Sequence, residues 1–204
     1  MTDATPRNQR VPRGLMRDLV ALDQALYEAV TVTSTPTLDS ALRRLSAAAD
    51  HSKISFAVAG ALAVWPGRSR RAAALGVAAI GVASATANLL GKRLVRRPRP
   101  RRAVDSPFPG RHVPMPQSAS FPSGHTASAV AFAAAVGPAF PAATVPLGLL
   151  ACAVGYSRVH TGVHYPGDVI AGAVLGTGAA ATVLAAAGRG GLSDTVFRLT
   201  GSRP

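Results

Sequence analysis

Acidic residues are almost absent from the middle of this sequence. Of the nine aspartates and glutamates in the 204 residues, only Asp105 and Asp168 lie between His51 and Ser193. A water-soluble domain normally carries a surface of mixed charge, so this distribution excludes an ordinary soluble surface for that region. Because short basic segments separate its apolar runs, the region is interpreted as membrane helices joined by basic loops.

Cysteine and aromatic residues are scarce as well. Cys152 is the only cysteine, which excludes an intrachain disulfide and a cysteine-based metal site. Aromatic residues make up 5% of the chain, and the apolar bulk is alanine, valine, leucine and glycine. The first dozen residues, MTDATPRNQRVP, are polar. We therefore expect no cleavable signal peptide and interpret residues 1–13 as a disordered basic arm.

Two amphipathic segments precede the first apolar run. Residues 14–32 carry leucines at helical spacing, but charged residues interrupt them too often for a membrane-spanning helix. The next segment opens with Thr35 and Pro36, which is typical of a helix start, and it has an apolar face of its own. We predict short helices over residues 14–50 that lie on the membrane surface or cover the bundle.

Five apolar segments follow, at about residues 54–65, 72–91, 126–136, 142–156 and 169–187. A complete span needs about 20 apolar residues, a length that two of the five segments reach. Shorter segments can be extended by polar ends that line a site. We predict an all-α fold, an integral membrane bundle of five to six helices with N-terminal amphipathic helices. The catalytic bundle is expected over residues 51–188, and a polar tail over residues 189–204.

Small residues mark the last apolar segment, where Gly172 and Gly176 form a G-x-x-x-G pair. Such pairs permit close contact between helices. Because the contact can lie within one chain or between two, the oligomeric state stays open.

The basic segment GKRLVRRPRPRR follows the second apolar segment. Beside a membrane helix, such a run is usually a topology signal or a contact with anionic lipid. Binding to nucleic acid is disfavoured, because the run has no interleaved aromatic residue and no nucleic-acid-binding motif. The third interpretation is a phosphate clamp, in which lysine supplies a point charge and arginine a planar fork of donors.

The segment FPSGHTAS stands at the predicted start of the third apolar helix. Free backbone N–H groups at a helix N-terminus bind anions, and Gly124 would let the backbone come close to one. Ser123 can add a hydroxyl donor, and His125 can exchange a proton near neutral pH. Taken alone, this tetrapeptide is explained better by a serine N-cap with an incidental histidine.

A third polar segment, SRVHTGVHYPGD, lies between the last two apolar runs. Arg158 adds a further cation, and His164 is followed four residues later by Asp168. A carboxylate at that spacing can hold one imidazole nitrogen and leave the other free to attack. Because carboxylates are so rare here, the pair favours a catalytic role over a structural histidine. His160 can line the pocket, but we do not expect it to be catalytic.

Together these segments resemble the three motifs of the type-2 phosphatidic acid phosphatase superfamily, K-x6-R-P, P-S-G-H and S-R-x5-H-x3-D. The matching stretches run from Lys92 to Pro100, from Pro122 to His125 and from Ser157 to Asp168. All three occur in order with every spacing kept, whereas residues 1–50 carry little of the resemblance. The resemblance implies a membrane enzyme that hydrolyses a phosphomonoester or diphosphate of a lipid.

The resemblance also implies a role for each motif residue. His164 is expected to be the nucleophile that forms a phosphohistidine, and Asp168 is expected to orient it. His125 is expected to protonate the leaving oxygen and then to activate water. The other motif residues are expected to bind the phosphoryl oxygens: Lys92, Arg99, Ser123, Gly124 and Arg158. The segment from Asp105 to Ser120, which includes His112, is expected to shape access to the site.

No cofactor is expected. A two-metal hydrolase needs several carboxylates or histidines around its ions, and the middle of the chain offers two carboxylates. We therefore predict no metal site, activity in the presence of a chelator and inhibition by vanadate. The expected partners are a lipid phosphate substrate and membrane lipids, without nucleic acid.

Two other classes of protein compete with a lipid phosphatase. Vanadium-dependent haloperoxidases share the phosphate-site motifs, but they are larger and soluble, whereas this chain is short and membrane-like. A non-catalytic membrane scaffold would not need the complete residue set. Halide oxidation with vanadate and peroxide identifies the first, and the absence of phosphate release identifies the second.

The substrate is inferred only by analogy. Twenty arginines against two lysines suggest a GC-rich bacterial source. Analogy with small family members in such bacteria favours a prenyl-linked substrate such as decaprenylphosphoryl-5-phosphoribose, whose dephosphorylation is a step in cell-wall synthesis. Undecaprenyl diphosphate, phosphatidate and phosphatidylglycerol phosphate are the alternatives. The location is expected to be the bacterial inner membrane. The basic N-terminal region favours a cytoplasmic active site, although many relatives face outward.

Overall fold

The computed structural model describes residues 13–102 and 108–200 as helices joined by loops, and no strand occurs among them. The predicted all-α fold is therefore confirmed. The first helices are α1 (Arg13–Val32), α2 (Pro36–Ala48), α3 (Lys53–Ala63) and α4 (Arg68–Ala85). A π-helical turn at Thr86–Gly91 follows, and then α5 (Lys92–Leu94), α6 (Gly124–Ala139), α7 (Thr144–His160) and α8 (Pro166–Thr200).

Helix α6 is the central helix and packs against α4, α7 and α8. Its alanines meet alanines of α4 and α8 in one fully apolar cluster, which contains Ala79, Ala83, Ala127, Ala131, Ala135, Ala179 and Ala180. Side chains this small let helix backbones approach closely. On the other side of α6, Phe132 and Val136 fill the space towards α3, α4 and α7.

The glycine pair of the last apolar segment lies between α8 and α6. A β-carbon on Gly172 would come within 2.5 Å of the carbonyl oxygen of Ser123, and one on Gly176 would overlap the carbonyl oxygen of Ala127. The contact is continued by a hydrogen bond of 2.9 Å from the Ser123 N–H to the Asp168 carbonyl. The pair therefore brings the start of α6 next to the start of α8.

Three helical segments are long and apolar enough to cross a membrane: Arg68–Leu89, Pro141–His160 and Pro166–Gly188. The sequence predicted two of full length. The third reaches spanning length because α7 continues through Ser157, Arg158 and His160, whose polar side chains are buried inside the bundle. Helix α8 also continues through residues 189–200, where a polar tail was predicted. The last four residues lie outside the described part of the chain.

The N-terminal helices match their predicted positions. The apolar stripe of α1 points away from the bundle, with about half of each side chain exposed at Leu15, Met16, Leu19, Val20, Leu22 and Leu26. Asp23 and the buried Tyr27 contact the bundle. The predicted basic arm at residues 1–13 falls outside the described residues, except that α1 begins at Arg13.

Several chain segments meet at one end of the bundle. They are the end of α7, the starts of α6 and α8, the junction of α2 and α3 at Asp50, and the loop after α5. The loops between α3 and α4 and between α6 and α7 lie at the other end. Residues from all three motifs therefore lie at the end of the bundle where α6 and α8 begin.

Candidate active site

A cavity of about 510 Å³ opens where these segments meet. Five of the predicted site residues line it: Arg99, Gly124, His125, Arg158 and His164. The volume lies within the range typical of small-molecule sites. Part of the remaining wall comes from residues 113–116 and Ser118, which belong to the segment predicted to shape access. Asp105 of that segment lies outside the described residues.

His164 and Asp168 form a pair at the turn between α7 and α8. Gly162, with a φ of 71°, lets the chain reverse after α7, and Asp168 lies in the first turn of α8. The Nδ1 of His164 is 3.5 Å from Oδ2 of Asp168, and both side chains are buried. The hydroxyl of Ser120 donates to the same carboxylate oxygen and lies 3.4 Å from Nδ1 of His164. This arrangement leaves Nε2 of His164 facing the cavity.

The other contacts of Asp168 tie it to distant parts of the chain. Oδ2 accepts a bond of 2.9 Å from the Tyr165 N–H, and Oδ1 accepts one of 2.9 Å from Arg97. Arg97 also binds Asp23 of α1 at 2.6 Å, and Asp23 accepts a bond from the Gly167 N–H. No motif or spacing in the sequence identified Arg97, Asp23 or Ser120. Arg97 belongs to the basic run, but nothing in its position distinguishes it from the other arginines there.

Burial keeps the His164 imidazole neutral. His164 lies between two membrane helices rather than within one, and burial lowers its pKa to about 4. The hydrogen bond to Asp168 opposes this shift, whereas Arg99 and Arg158 add to it. Nε2 of His164 lies 3.3 Å from Nη1 of Arg99. A neutral imidazole keeps the lone pair that nucleophilic attack requires.

Arg99 and Arg158 bring positive charge to the cavity from two sides. Arg99 is held by the carbonyls of Val163 and Ser118, at 2.8 Å each. Arg158 is buried and donates to the hydroxyl of Ser46 at 2.6 Å and to its carbonyl at 3.1 Å. Its Nε is buried and has no hydrogen-bond partner in the described part of the protein. Lys92 begins α5, but its side chain lies outside the described residues.

The start of α6 is built as an N-cap. The hydroxyl of Ser123 accepts hydrogen bonds from the N–H and the hydroxyl of Thr126, and the side chain is fully buried. Ser123 is not among the residues that line the cavity, so its contact with phosphate stays a prediction. A β-carbon on Gly124 would meet no atom within 4 Å, which leaves space for a ligand beside the helix N-terminus.

His125 faces the cavity one residue further along α6. Its Nε2 lies 2.7 Å from Oδ1 of Asp50, and the same oxygen is 3.7 Å from Nη1 of Arg158. No motif or spacing in the sequence identified Asp50. The available signal was its position, since it is the last acidic residue before the acid-poor region begins.

The other histidine of the third motif segment faces elsewhere. His160 is buried, with Nε2 at 3.0 Å from Oδ1 of Asp39, and Arg111 binds the same oxygen at 3.0 Å. Arg111 also donates to the carbonyls of Thr31 and Thr33 at the end of α1. Neither His160 nor His112 lines the cavity. This cluster therefore joins α1 and α2 to α7.

Within residues 13–102 and 108–200, no group of three or more histidine, cysteine, aspartate and glutamate side chains is arranged to hold a metal ion. The two histidine–carboxylate pairs of the site use different carboxylates. Metal independence stays a prediction, to be tested with a chelator.

The family profile and the similar curated proteins point to the same family. The profile of the PAP2 superfamily matches residues 72–190. The decaprenylphosphoryl-5-phosphoribose phosphatase of Mycobacterium tuberculosis is 36% identical over 181 residues, which are 86% of this chain and 92% of that protein. The enzyme of the same name from Mycolicibacterium smegmatis is 38% identical over 167 residues, covering 79% and 82% of the two chains. These relatives are phosphatases, and they do not favour a haloperoxidase.

A solved structure matches the fold. The transmembrane PAP2 type phosphatidylglycerolphosphate phosphatase from Bacillus subtilis superposes with a TM-score of 0.68 at 21% identity. The match covers 84% of this chain and 87% of that one. The match shows a shared fold, and three helical segments of this chain have the length and composition of membrane spans.

Proposed function

This chain belongs to the PAP2 superfamily, and on that premise we propose that it releases phosphate from decaprenylphosphoryl-5-phosphoribose through a phosphohistidine at His164. The observation that carries the proposal is the cavity itself. It brings His164, His125, Arg99 and Arg158 together at one end of a membrane bundle. A nucleophile, a proton donor and two cations are the groups that hydrolysis of a phosphomonoester requires.

The first chemical step transfers the phosphoryl group to the enzyme. Nε2 of His164 attacks phosphorus while Arg99, Arg158 and the N–H groups at the start of α6 bind the phosphoryl oxygens. His125 gives a proton to the departing sugar oxygen, which leaves as a neutral hydroxyl. Asp168 holds Nδ1 of His164, so that the imidazole keeps its orientation as it becomes charged.

The second step returns the enzyme to its starting state. His125, now neutral, takes a proton from a water molecule that attacks the phosphohistidine. The bond between phosphorus and His164 breaks, and inorganic phosphate leaves the cavity. Neither proposed step uses a metal ion or a cofactor.

The wall of the cavity supports a substrate with a polar group next to the phosphate. Five hydroxyl or amide side chains line it: Ser52, Ser84, Asn88, Ser118 and Ser128. Ser84 and Ser128 bond to each other at 3.1 Å, and Asn88 donates to the Ser84 carbonyl at 2.9 Å. A sugar offers hydroxyls that can add to these contacts. The mycobacterial relatives, whose name specifies a phosphoribose, match over 92% and 82% of their length.

We further propose that the site faces the cytoplasm. The end of the bundle that contains the site carries most of the basic residues of the described chain, including Arg43, Arg44 and the run after α4. The opposite end carries Arg68, Arg70 and Arg71 at the start of α4. The positive-inside rule places the more basic end in the cytoplasm.

Phosphate release in detergent tests the proposed function. Wild type and His164→Ala are compared with EDTA present, on decaprenylphosphoryl-5-phosphoribose, undecaprenyl diphosphate, phosphatidate and phosphatidylglycerol phosphate. We expect wild type to release phosphate fastest from the first, and the variant from none. A different preferred lipid would overturn the substrate assignment, and activity that EDTA removes and magnesium restores would overturn the mechanism.

A further inference from the structure

The carboxylate of Asp50 lies inside the proposed active site, although it belongs to no motif of the family. Its Oδ1 is 2.7 Å from Nε2 of His125 and 3.7 Å from Nη1 of Arg158. Asp50 and the two residues after it, His51 and Ser52, also line the cavity. The N-terminal region, which carries little of the resemblance to the family, thus contributes directly to the site.

The backbone that presents Asp50 is strained. His51 and Ser52 have φ values of 55° and 57°, the left-handed region that residues with a β-carbon rarely adopt. Two such residues in succession, neither of them glycine, form the whole connection between Asp50 and α3. Strain of this kind persists where the surrounding structure holds it, and it is concentrated at functional sites. Here the turn holds the Asp50 carboxylate against His125.

We infer that Asp50 is a positioning residue, which holds Nε2 of His125 as an N–H donor and so presents Nδ1 to the leaving group. This inference rests on the proposed phosphatase function. The site then contains two histidine–carboxylate pairs, in which the carboxylate binds a different ring nitrogen. Asp168 binds Nδ1 of His164 and leaves Nε2 for the nucleophile, whereas Asp50 binds Nε2 of His125 and leaves Nδ1 for proton transfer.

The protons balance in both steps. In the first, the imidazolium of His125 gives its Nδ1 proton to the departing oxygen as the bond between phosphorus and His164 forms. In the second, Nδ1 takes a proton from the attacking water as that bond breaks. The Nε2 proton stays in the hydrogen bond to Asp50 throughout. The carboxylate favours the imidazolium that the first step requires and the second step forms, against burial and the nearby Arg158, which lower the pKa of His125. The nearby Arg158 offsets the negative charge that Asp50 places beside a phosphate.

Asp50→Asn tests this role because asparagine keeps the shape and the acceptor oxygen but removes the charge. A lipid phosphate has a poor leaving group that needs a proton, whereas para-nitrophenyl phosphate has a good one that does not. We expect kcat/KM to fall by about 100-fold for the best lipid substrate, the scale of general acid catalysis, and by only a few-fold for para-nitrophenyl phosphate. The matched control, Asp18→Asn on the exposed surface of α1, should leave both values unchanged.

Two outcomes would overturn the inference. An equal loss for both substrates would mean that Asp50 only supports the fold. A gain in activity, or tighter inhibition by vanadate, would mean that its carboxylate occupies the place of the phosphate and competes with it.

A second measurement does not depend on turnover. Nitrogen NMR of histidine-labelled enzyme in detergent, with His125 assigned through His125→Gln, reports which ring nitrogen carries the proton. We expect the Nε2–H form in wild type and a mixture in Asp50→Asn. If wild type hydrolyses no phosphate ester but shows this form, the proposed function fails while the pairing stands. A proton on Nδ1 in neutral wild-type His125 would refute the pairing itself.

Discussion

His164 combines a buried ring with a carboxylate on one side and two arginines on the other. Burial, Arg99 and Arg158 disfavour the imidazolium, while the bond to Asp168 favours it, and the balance lowers the pKa of the ring to about 4. The nucleophile is therefore ready without first losing a proton. Once phosphorylated, the ring becomes positive, and Asp168 then faces a charge that it can stabilise.

This balance predicts how the free enzyme responds to pH. Because the pKa of His164 is lowered, the ring stays neutral as the pH falls past about 6.5, where a free histidine gains its proton. It becomes protonated, and is lost as a nucleophile, only as the pH falls through about 4. Nitrogen NMR of the labelled enzyme, with His164 assigned through His164→Ala, measures the midpoint. A midpoint near that of free histidine would contradict the account.

Ser120 allows a second test at the same scale. Its hydroxyl donates to Asp168 and contacts Nδ1 of His164, so Ser120→Ala removes a hydrogen bond to a charged group. Such a bond contributes about 1.5–3 kcal/mol, which corresponds to a fall in kcat of roughly 10- to 100-fold. Ser118→Ala, which removes a longer contact with Arg99 at 3.3 Å, is the comparison and should cost less. An unchanged kcat in Ser120→Ala would mean that Asp168 needs no help in holding the ring.

The residues that the sequence predicted and those that it missed differ in one respect. Motif spacing identified His164, Asp168, Arg158 and His125, and the structure brings these together. Asp50, Asp23, Arg97 and Ser120 reach the same site from distant or loop segments, where no local pattern distinguishes them. Their roles depend on how the chain folds back, which requires the three-dimensional structure.

Among the elements, the contact between α6 and α8 controls the geometry of the site. Both helices begin at the cavity, and the glycines of α8 let its backbone touch that of α6 near Ser123 and Ala127. A larger residue at the contact would separate the helix that carries His125 from the helix that carries Asp168. The stability of this contact and the catalytic geometry are therefore coupled.

A pair of glycine substitutions on α8 tests that coupling. A β-carbon at Gly176 would overlap the Ala127 carbonyl, so Gly176→Ala should destabilise the protein by about 1–3 kcal/mol and lower kcat. Gly178 is exposed and has no atom within 4 Å of its β-carbon position, so Gly178→Ala should stabilise the helix by up to about 1 kcal/mol. Thermal unfolding in detergent compares them. Equal midpoints would show that the contact is not tight.

The positions of the helices were largely predictable, and their ends were not. Helical spacing of apolar residues located the two N-terminal helices, and the length of the apolar runs located the five later segments. The apolar run predicted that α7 ends before Arg158 and His160, because polar residues normally mark the end of a helix. In the structure both side chains belong to α7 and are buried against α2 and the cavity. The apolar run also predicted that α8 ends before residue 189, whereas the helix continues through residues 189–200.

At the scale of the whole molecule, α1 has an unusual orientation for an amphipathic helix. Its apolar stripe faces outward, while Asp23 reaches inward to Arg97 and the Gly167 N–H. In water such a stripe would remain exposed at a free-energy cost, so we propose that α1 lies in the membrane interface beside the site. A lipid substrate could then reach the cavity laterally, with its headgroup at the depth of the interface.

Reaction of single cysteines in intact cells tests the orientation. In a Cys152→Ser background, Arg44→Cys marks the end of the bundle that contains the site, and Arg68→Cys marks the other. A membrane-impermeant maleimide should react with Arg68→Cys and spare Arg44→Cys until the cells are opened, because the more basic end is expected inside. The reverse pattern would place the active site outside the cell.

The most direct test of the account is to trap the phosphoenzyme. Wild type and His164→Ala, matched for thermal stability, are mixed with substrate carrying a labelled phosphate and quenched in alkali, in which a phosphohistidine survives. The account predicts that wild type retains a label that acid removes, that the label maps to His164, and that the variant retains none. A label on any other residue, or an equal label on His164→Ala, would contradict it.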